Sequence, residues 1–160
     1  MPKLYITVGA SSTGKSYWAE QKIKETHNIV NINRDDIRFA NNKDAGWSEY
    51  EYTKSNELQV SKTVDELFEQ AVTTGKDIIM SSNNLTNRYR NNLIKKGKTL
   101  GYTIICILFE ISLHTLLKRN KVRKRQLDES VIKTQHNWYL DAKVVLETQC
   151  AAGLILIKYV

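Results

Sequence analysis

Residues 9–16 decide the fold of this chain, and they read Gly9-Ala10-Ser11-Ser12-Thr13-Gly14-Lys15-Ser16. The stretch fits the pattern G-x-x-x-x-G-K-[ST]; a β-prone run at 4–8 precedes it and a helix-like run from 15 to about 24 follows. Glycines let backbone N–H groups curl around phosphate oxygens, and the helix N-terminus adds a partial positive charge. The stretch therefore predicts a phosphate-binding loop rather than an ordinary turn before a helix.

The side chains of this loop predict nucleotide binding with a metal ion. Lys15 can reach the β- and γ-phosphates, and the Ser16 hydroxyl can hold Mg²⁺. The residues assigned to the phosphates of ATP, or of another nucleoside triphosphate, are Gly9, Ser12, Thr13, Gly14 and Lys15.

Beyond the loop, strand-like and helix-like runs alternate. The predicted strands are 4–8, 28–32, 77–81, 102–109 and 154–160, and the predicted helices are 15–24, 48–74, 86–100, 112–119 and 128–149, the last N-capped by Asp128. This order predicts an α/β fold with a mainly parallel sheet of about five strands flanked by helices. Ligands of such sheets bind at the carboxyl ends of the strands.

Apolar spacing predicts the buried helix faces. In the helix 48–74 the predicted face is Leu58, Val64, Leu67, Phe68, Ala71 and Val72. In the last helix it is Val131, Gln135, Trp138, Ala142 and Val145. Trp18 and Trp138 are core candidates, and Cys106, inside an apolar run, is a packing residue.

Composition describes an ordinary soluble domain with one unusual segment. The chain has 160 residues, 41% of them hydrophobic and 26% charged, which predicts a single domain over 1–160 with neither a membrane span nor a secretory leader. Two cysteines and three scattered histidines indicate a reducing, cytoplasmic setting without zinc. Residues 118–125 hold six cations, without which the net charge falls from +7 to +1. This basic segment predicts an anionic partner.

A second polar tract, Asn33-Arg34-Asp35-Asp36-Ile37-Arg38, follows the second predicted strand. In a parallel sheet this position shares an edge with the phosphate loop. A carboxylate there can accept the proton of an acceptor hydroxyl, and a cation can balance the charge of the transferred phosphoryl group. The alternative is structural, with Asn33, Asp35 or Asp36 as the N-cap of a helix.

Together these tracts make the chain resemble the kinase domain of phage polynucleotide 5′-hydroxyl kinase. Besides the phosphate loop, the resemblance rests on Asn31-Ile32-Asn33-Arg34-Asp35-Asp36 with Arg38, on Glu49-Tyr50-Glu51-Tyr52-Thr53-Lys54, on Ser81-Ser82-Asn83-Asn84-Leu85 and on Leu117-Lys118-Arg119-Asn120. These pieces occur in the family's order from about residue 4 to 125.

The resemblance implies a phosphate-loop (P-loop) kinase fold with a basic lid. It also implies ATP-dependent phosphorylation of the 5′-hydroxyl end of DNA or RNA, in nucleic-acid end repair. Asp35 matches the family's general base, and Arg38 matches an arginine that binds acceptor phosphate. Arg123 matches most nearly a lid arginine that clamps the ATP phosphates, with Arg119 close by. For a phage-encoded protein the location would be the host cytoplasm.

The chain departs from the family at three places. The family's loop has a proline and an additional glycine where this chain has Ser11 and Ser12. Ser82 stands where the family has an aspartate, so Asn83, Asn84 or Asp36 is expected to substitute for that acid, and Asn83 is assigned to substrate binding. The chain contains no D-x-D-x-T phosphatase motif, and no 3′-phosphatase activity or domain is expected.

Some interpretations stay open. The basic segment can be a solvated helix end, a lid over the nucleotide or a contact for nucleic-acid backbone. Arg88 and Arg90 are candidates for substrate phosphates, whereas Trp47, Tyr50 and Tyr52 fit packing better than base stacking. A small-molecule kinase, acting on a nucleoside or sugar, and a non-catalytic nucleotide-gated nucleic-acid binder are the alternative functions. Neither the choice between DNA and RNA nor the oligomeric state follows from the sequence.

Overall fold

A five-stranded parallel sheet forms the centre of the computed structural model, which describes residues 1–42 and 50–160. The strands are β1 (Lys3–Val8), β2 (Ile29–Ile32), β3 (Asp77–Met80), β4 (Thr103–Leu108) and β5 (Leu156–Tyr159). Their order across the sheet is β2-β3-β1-β4-β5, and every pairing is parallel. The predicted α/β architecture is confirmed.

Six helices connect the strands of the described chain. They are α1 (Lys15–Glu25), α2 (Arg34–Asn41), α3 (Lys54–Thr73), α4 (Asn87–Thr99), α5 (Leu113–Lys121) and α6 (Glu129–Ala151). The side chains that cap α2, α3, α5 and α6 are those of Asn33, Thr53, Ser112 and Asp128. The predicted Asp128 cap is confirmed, since its side chain accepts the Ser130 N–H. Within the described ranges no helix has the length and apolar character needed to cross a membrane.

The two faces of the sheet are covered by different helices. The larger hydrophobic cluster joins one face to α3, α4 and α6 and includes Phe68, Tyr139 and the fully buried Cys106, so the packing prediction for that cysteine is confirmed. The smaller cluster places Ala19 of α1 on the other face, with Trp18 packed partly buried against it. A third cluster of Ala10, Leu116 and Ile132 joins the phosphate loop to α5 and α6.

The helix predicted over 48–74 begins later than expected. Residues 50–53 are not helical, Thr53 caps the helix that starts at Lys54, and 48 and 49 lie outside the described residues. Leu58 was predicted to be buried but is 61% exposed. The buried face instead includes Val60, two positions after Leu58. Side chains two positions apart on a helix point in nearly opposite directions.

In the predicted stripe of α6, Ala142 is buried as expected, but the other buried positions lie one residue later than predicted. The buried side chains are Ile132, Tyr139, Ala142 and Leu146. Val131 is 41% exposed and Trp138 is 49% exposed, so neither is a core residue. One residue rotates a helix face by about 100°, and the face that carries Gln135 and Trp138 lines a cleft rather than the core.

Three polar loops meet at one edge of the sheet. They are the phosphate loop after β1, the segment at Asn33 after β2 and residues 81–86 after β3. Because the strands are parallel and adjacent in the order β2-β3-β1, their carboxyl ends lie side by side. The predicted meeting of these motifs follows from the topology.

Candidate active site

The phosphate loop curls tightly between β1 and α1. Gly14, with φ of 95°, and Ser12, with φ of 71°, both adopt the left-handed conformation. Gly9 packs so closely that a Cβ there would lie 2.9 Å from the Thr13 hydroxyl oxygen and 3.1 Å from the Phe109 Cβ. Because the N-cap residue of α1 is Gly14, which has no side chain to cap the helix, the first N–H groups of α1 are available to an anion.

Lys15 is buried within this loop, at 8% exposure. Its ammonium group donates to the carbonyl oxygens of Gly9, at 3.0 Å, and Ala10, and to the Thr13 hydroxyl at 3.2 Å. Burial, and next the positive charge of Arg123, lower the pKa of Lys15 to about 7, against an opposing effect of Asp35. Phosphate oxygens are better partners for this cation than neutral carbonyls, so the loop fits a nucleoside triphosphate.

Ser16, the second residue of α1, is exposed at the end of the loop. Within the described ranges, no group of three or more histidine, cysteine, aspartate or glutamate side chains is placed to hold a metal ion. A serine hydroxyl with phosphate oxygens and waters suits Mg²⁺, which seldom uses all-protein cages. The donor set therefore fits Mg²⁺ brought with a nucleotide.

The basic segment lies over the phosphate loop. Arg119 donates to the Ser12 carbonyl oxygen at 3.2 Å, and Arg123 donates to the Ser12 hydroxyl at 3.1 Å. Arg125 reaches further and stands 3.5 Å from the Asp35 carboxylate. These three contacts lay the segment against the phosphate loop and Asp35, which fits the lid interpretation better than a solvated helix end. Residues 118–125 are called the lid below.

The turn of this lid is held by Asn120, which sequence reasoning missed. Asn120 is buried and exchanges two hydrogen bonds with the Leu127 backbone: its amide donates to the carbonyl oxygen at 2.7 Å, and its side-chain oxygen accepts the N–H at 3.0 Å. An asparagine with both side-chain groups bonded to the backbone of one residue closes the segment between α5 and α6. Asn120 lies in a run of cationic residues, and nothing in that sequence pattern indicates its structural role.

The first turn of α2 presents Asp35 to the same cleft. Asn33 is the N-cap, because its side-chain oxygen accepts the N–H groups of Asp35, at 2.8 Å, and Asp36, at 3.2 Å. The Asp35 carboxylate is therefore not used as a cap; it is 54% exposed and accepts from Arg38 at 2.9 Å. Of the three capping alternatives, the structure selects Asn33.

Glu57, in the first turn of α3, anchors the arginines of α2. It accepts two hydrogen bonds from Arg38, at 3.0 and 2.6 Å, one from the Tyr50 hydroxyl at 2.7 Å and a longer one from Arg34 at 3.4 Å. The bond from Arg38 is the largest cause that lowers the pKa of Glu57 to about 2. Sequence reasoning missed Glu57; the signal was the i,i+4 pair of arginines, which calls for a counterion.

The loop after β3 forms the floor beside the phosphate loop. The Asn84 amide donates to the carbonyl oxygens of Thr7 and Met80, both at 2.8 Å, and its residue is buried with φ of 51°. The Ser82 hydroxyl accepts the Arg34 N–H at 3.2 Å, and the Asn83 carbonyl accepts the Gly9 N–H at 3.2 Å. Of the expected substitutes for an acid at 82, Asn83 and Asn84 line the cleft and Asp36 does not.

Arg90 and Arg88 do not join this cleft. Arg90 is fully buried and donates to the carbonyl oxygens of Asn84 at 3.0 Å and Leu85 at 2.7 Å, so the expectation that it contacts substrate is wrong. It holds the loop after β3 from beneath. Arg88, assigned to substrate binding, is exposed on α4 and is absent from the described lining.

The aromatic residues predicted as a cluster pack around Arg38. Tyr50 and Tyr52 meet edge to face, with ring centroids 4.9 Å apart, and the Arg38 guanidinium lies 5.2 Å from the Tyr52 ring centre. Tyr50 also packs partly buried against the larger hydrophobic cluster, which agrees with the packing interpretation, whereas Tyr52 is 60% exposed. Trp47 lies outside the described residues.

One cleft of about 640 Å³ unites these features. Its lining comes from the phosphate loop, α2, the loop after β3, the lid and α6, and includes Ser12, Thr13, Gly14, Lys15, Ser16, Asp35, Arg38, Asn83 and Arg123. Gly9 lies beneath it as a partner of Lys15, and Arg119 lines a smaller cavity on the other side of Thr13 and Gly14. The cleft can therefore bring a triphosphate and an acceptor hydroxyl together.

Comparisons of this chain with known proteins identify its family and its fold. The family model described as AAA domain matches residues 4–141, and the chain belongs to this family. Its phosphate loop implies binding of a nucleoside triphosphate.

A bifunctional polynucleotide kinase/RNA ligase of Autographa californica nuclear polyhedrosis virus is 30% identical over 156 residues, covering 86% of this chain and 21% of that protein. A chain of the Pnkp1/Rnl/Hen1 RNA repair complex superposes with a TM-score of 0.76 at 24% identity, over 90% of this chain and 46% of that chain. A gluconokinase from Sinorhizobium meliloti 1021 superposes with a TM-score of 0.56 at 17% identity, over 86% of this chain and 74% of that chain. The chain thus spans about a fifth of the viral relative and under half of the repair-complex chain. The fold is that of phosphate-loop kinases.

Proposed function

We propose that this AAA domain chain transfers the terminal phosphoryl group of a nucleoside triphosphate to the 5′-hydroxyl end of DNA or RNA. The observation that carries the proposal is the shared cleft, in which Asp35 and Arg38 face the phosphate loop and the lid arginine Arg123. The viral relative named as a polynucleotide kinase/RNA ligase and the RNA repair complex support the choice of acceptor and a role in end repair.

On the donor side, the loop N–H groups and Lys15 bind the β- and γ-phosphates, with Arg119 and Arg123 clamping them from the lid. The Ser16 hydroxyl would hold Mg²⁺ together with the phosphates, and the ion would supply further positive charge. Lys15 leaves its carbonyl partners for phosphate oxygens, and Arg123 leaves the Ser12 hydroxyl. These cations neutralise the charge that spreads over the transferred group.

On the acceptor side, Asp35 takes the proton of the 5′-hydroxyl as its oxygen forms a bond to the γ-phosphorus. The bond from that phosphorus to the β–γ bridging oxygen breaks, and the nucleoside diphosphate leaves. Arg38, held by Glu57, binds the phosphate next to the acceptor nucleotide, and Asn83 provides a polar contact. The ion pair of Arg125 with Asp35 must open before the hydroxyl enters, which links acceptor binding to lid movement.

Transfer of label from γ-labelled ATP to a 5′-hydroxyl oligonucleotide, with Mg²⁺, tests the proposal. Asp35→Asn should lower kcat by about 10²–10⁴-fold, the usual contribution of a general base, while nucleotide binding stays nearly unchanged. Asp36→Asn is the matched control, because Asp36 is the next residue of α2 and lies outside the described lining. No transfer by the wild-type protein would refute the function, and full activity of Asp35→Asn would refute the base assignment.

A small-molecule kinase is the second candidate, favoured by the fold similarity to a gluconokinase. Such an enzyme would phosphorylate a sugar or nucleoside and would be indifferent to oligonucleotides. Competition between a 5′-hydroxyl oligonucleotide and these small alcohols in the same assay separates the two candidates.

A further inference from the structure

Trp138 stands half exposed in the wall of the cleft. Its side chain is 49% exposed, and it belongs to none of the three hydrophobic clusters formed by the described residues. A large ring that could bury much more apolar surface is thus left open beside polar side chains. An aromatic face in a polar cleft is suited to a flat, partly apolar ligand group.

The position of this ring is fixed by α6. Gln135, one turn earlier on the helix, accepts the Ser11 N–H at 2.9 Å and so docks α6 onto the phosphate loop. The buried Tyr139 and Ala142 hold the helix on the sheet. Trp138 is therefore carried by a rigid element and not by a loop, so its face is in place before a ligand arrives.

The other aromatic residues of the cleft are differently engaged. Tyr89 packs against the main hydrophobic cluster. Tyr17 is 69% exposed and lines both this cleft and a cavity of about 420 Å³ that Arg119 also lines. The proposed function assigns Arg119 to the donor phosphates, so Tyr17 is placed on the donor side. Trp138 lines the cleft that holds Asp35 but not that second cavity.

We propose that the Trp138 indole is a stacking platform for the nucleobase of the acceptor's 5′-terminal nucleotide. The inference rests on the proposed function and names what makes the site select a nucleic-acid end. Asp35 takes the hydroxyl and Arg38 the following phosphate, while the base, which a sugar alcohol lacks, lies on the indole. Stacking of this kind tolerates any base, because each has a π-face.

The contact predicts a specific kinetic signature. The base stays on the indole in the ground state and in the transition state, so its loss raises KM for the oligonucleotide and leaves kcat nearly unchanged. The energy of stacking one base corresponds to a rise in KM of roughly 5- to 150-fold. KM for the nucleoside triphosphate should not move.

Steady-state transfer assays on Trp138→Ala, Trp138→Phe and the wild-type protein test the inference. Trp138→Phe should restore most of the loss, since it keeps an aromatic face. Leu140→Ala is the matched control, because Leu140 is 47% exposed on the same helix and outside the described lining. The same proteins are assayed on an oligonucleotide whose 5′-terminal nucleotide is abasic, where Trp138→Ala should have the wild-type KM.

The results of these assays distinguish failure of the inference about Trp138 from failure of the proposed function. Transfer with an equal oligonucleotide KM in the wild type and Trp138→Ala overturns the inference and leaves the proposed function standing. The inference is also overturned if Trp138→Ala raises KM for the abasic oligonucleotide as much as for the intact one, or if it raises KM for the triphosphate. Absence of any transfer by the wild-type protein refutes the proposed function, and the inference falls with it.

Discussion

Replacement of Glu57 by glutamine should destabilise the fold and displace Arg38, the arginine proposed to bind acceptor phosphate. Glu57 carries the negative charge between Arg34 and Arg38, and the Tyr50 hydroxyl also donates to it. Glu57→Gln keeps the shape of the side chain but removes that charge, so Arg34 loses its ion pair with Glu57 and Arg38 keeps only its ion pair with Asp35. Arg38 would also lose the bidentate contact that orients it towards the cleft.

The magnitude follows from the ionisation of Glu57. Its pKa falls from 4.5 to about 2, chiefly through the hydrogen bond from Arg38, against the effect of burial. At about 1.4 kcal/mol per pKa unit, this sets a ceiling of about 3 kcal/mol. Because the side chain is 29% exposed, solvent screening reduces the effect, and we expect Glu57→Gln to lower the free energy of unfolding by about 1–2 kcal/mol at neutral pH.

The pH dependence has a definite sign. The pKa of Glu57 is lower in the folded protein than in the unfolded chain, so its stabilisation is fully present above pH 4.5 and is lost as pH falls towards about 2. The difference between wild type and Glu57→Gln should therefore shrink across that window, because the protonated glutamate comes to resemble the glutamine.

Urea unfolding at a series of pH values measures the difference. The matched control is Glu66→Gln, at an exposed position of the same helix, which should change the free energy of unfolding little. The reasoning is refuted if Glu57→Gln matches Glu66→Gln at neutral pH, or if its deficit persists undiminished at about pH 3.

Two further predictions concern the phosphate loop. Ser12→Gly should raise Tm by about 2 °C, because glycine relieves the strain of the left-handed φ of 71°, although the hydrogen bond from Arg123 is lost. Ser11→Gly is the control, at a residue without positive φ, and should lower Tm. An equal loss of Tm in both variants would contradict the strain at Ser12. Binding of ATP should take up nearly one proton at about pH 8, because phosphate oxygens raise the pKa of Lys15 from about 7. Titration calorimetry in buffers of different ionisation enthalpy measures the uptake, and a binding heat independent of buffer would contradict it.

The elements that the sequence predicted well are those set by short-range patterns. The phosphate loop, its flanking strand and helix, and the Asp128 cap depend on residues close together in the chain. Asp35 could be placed beside the loop because parallel strands bring their carboxyl ends to one edge. A helix boundary differed from its prediction where a polar cap overrode apolar spacing, as at Thr53. The predicted buried face of α6 was wrong because both sides of that helix carry large apolar side chains.

The contacts that shape the site join residues far apart in the chain. Ser11 and Gln135 are 124 residues apart, and Arg123 and Ser12 are 111 apart. No local pattern distinguishes Glu57 from its neighbouring acids, or Arg90, which turns inward, from Arg88, which stays outside. The sequence gives the charge and size of each side chain, but not the direction in which that side chain points in the folded protein.

Local sequence patterns were enough to predict a nucleotide-binding α/β domain with a carboxylate at the edge where its phosphate loop opens. Long-range packing fixed which arginines face the cleft, which acid holds them, and that Trp138 lies in the cleft wall instead of the core. A side chain's role depends on the rotation of its helix and on partners that only packing brings within hydrogen-bonding distance, whereas a loop that binds phosphate is specified by the backbone conformations of consecutive residues.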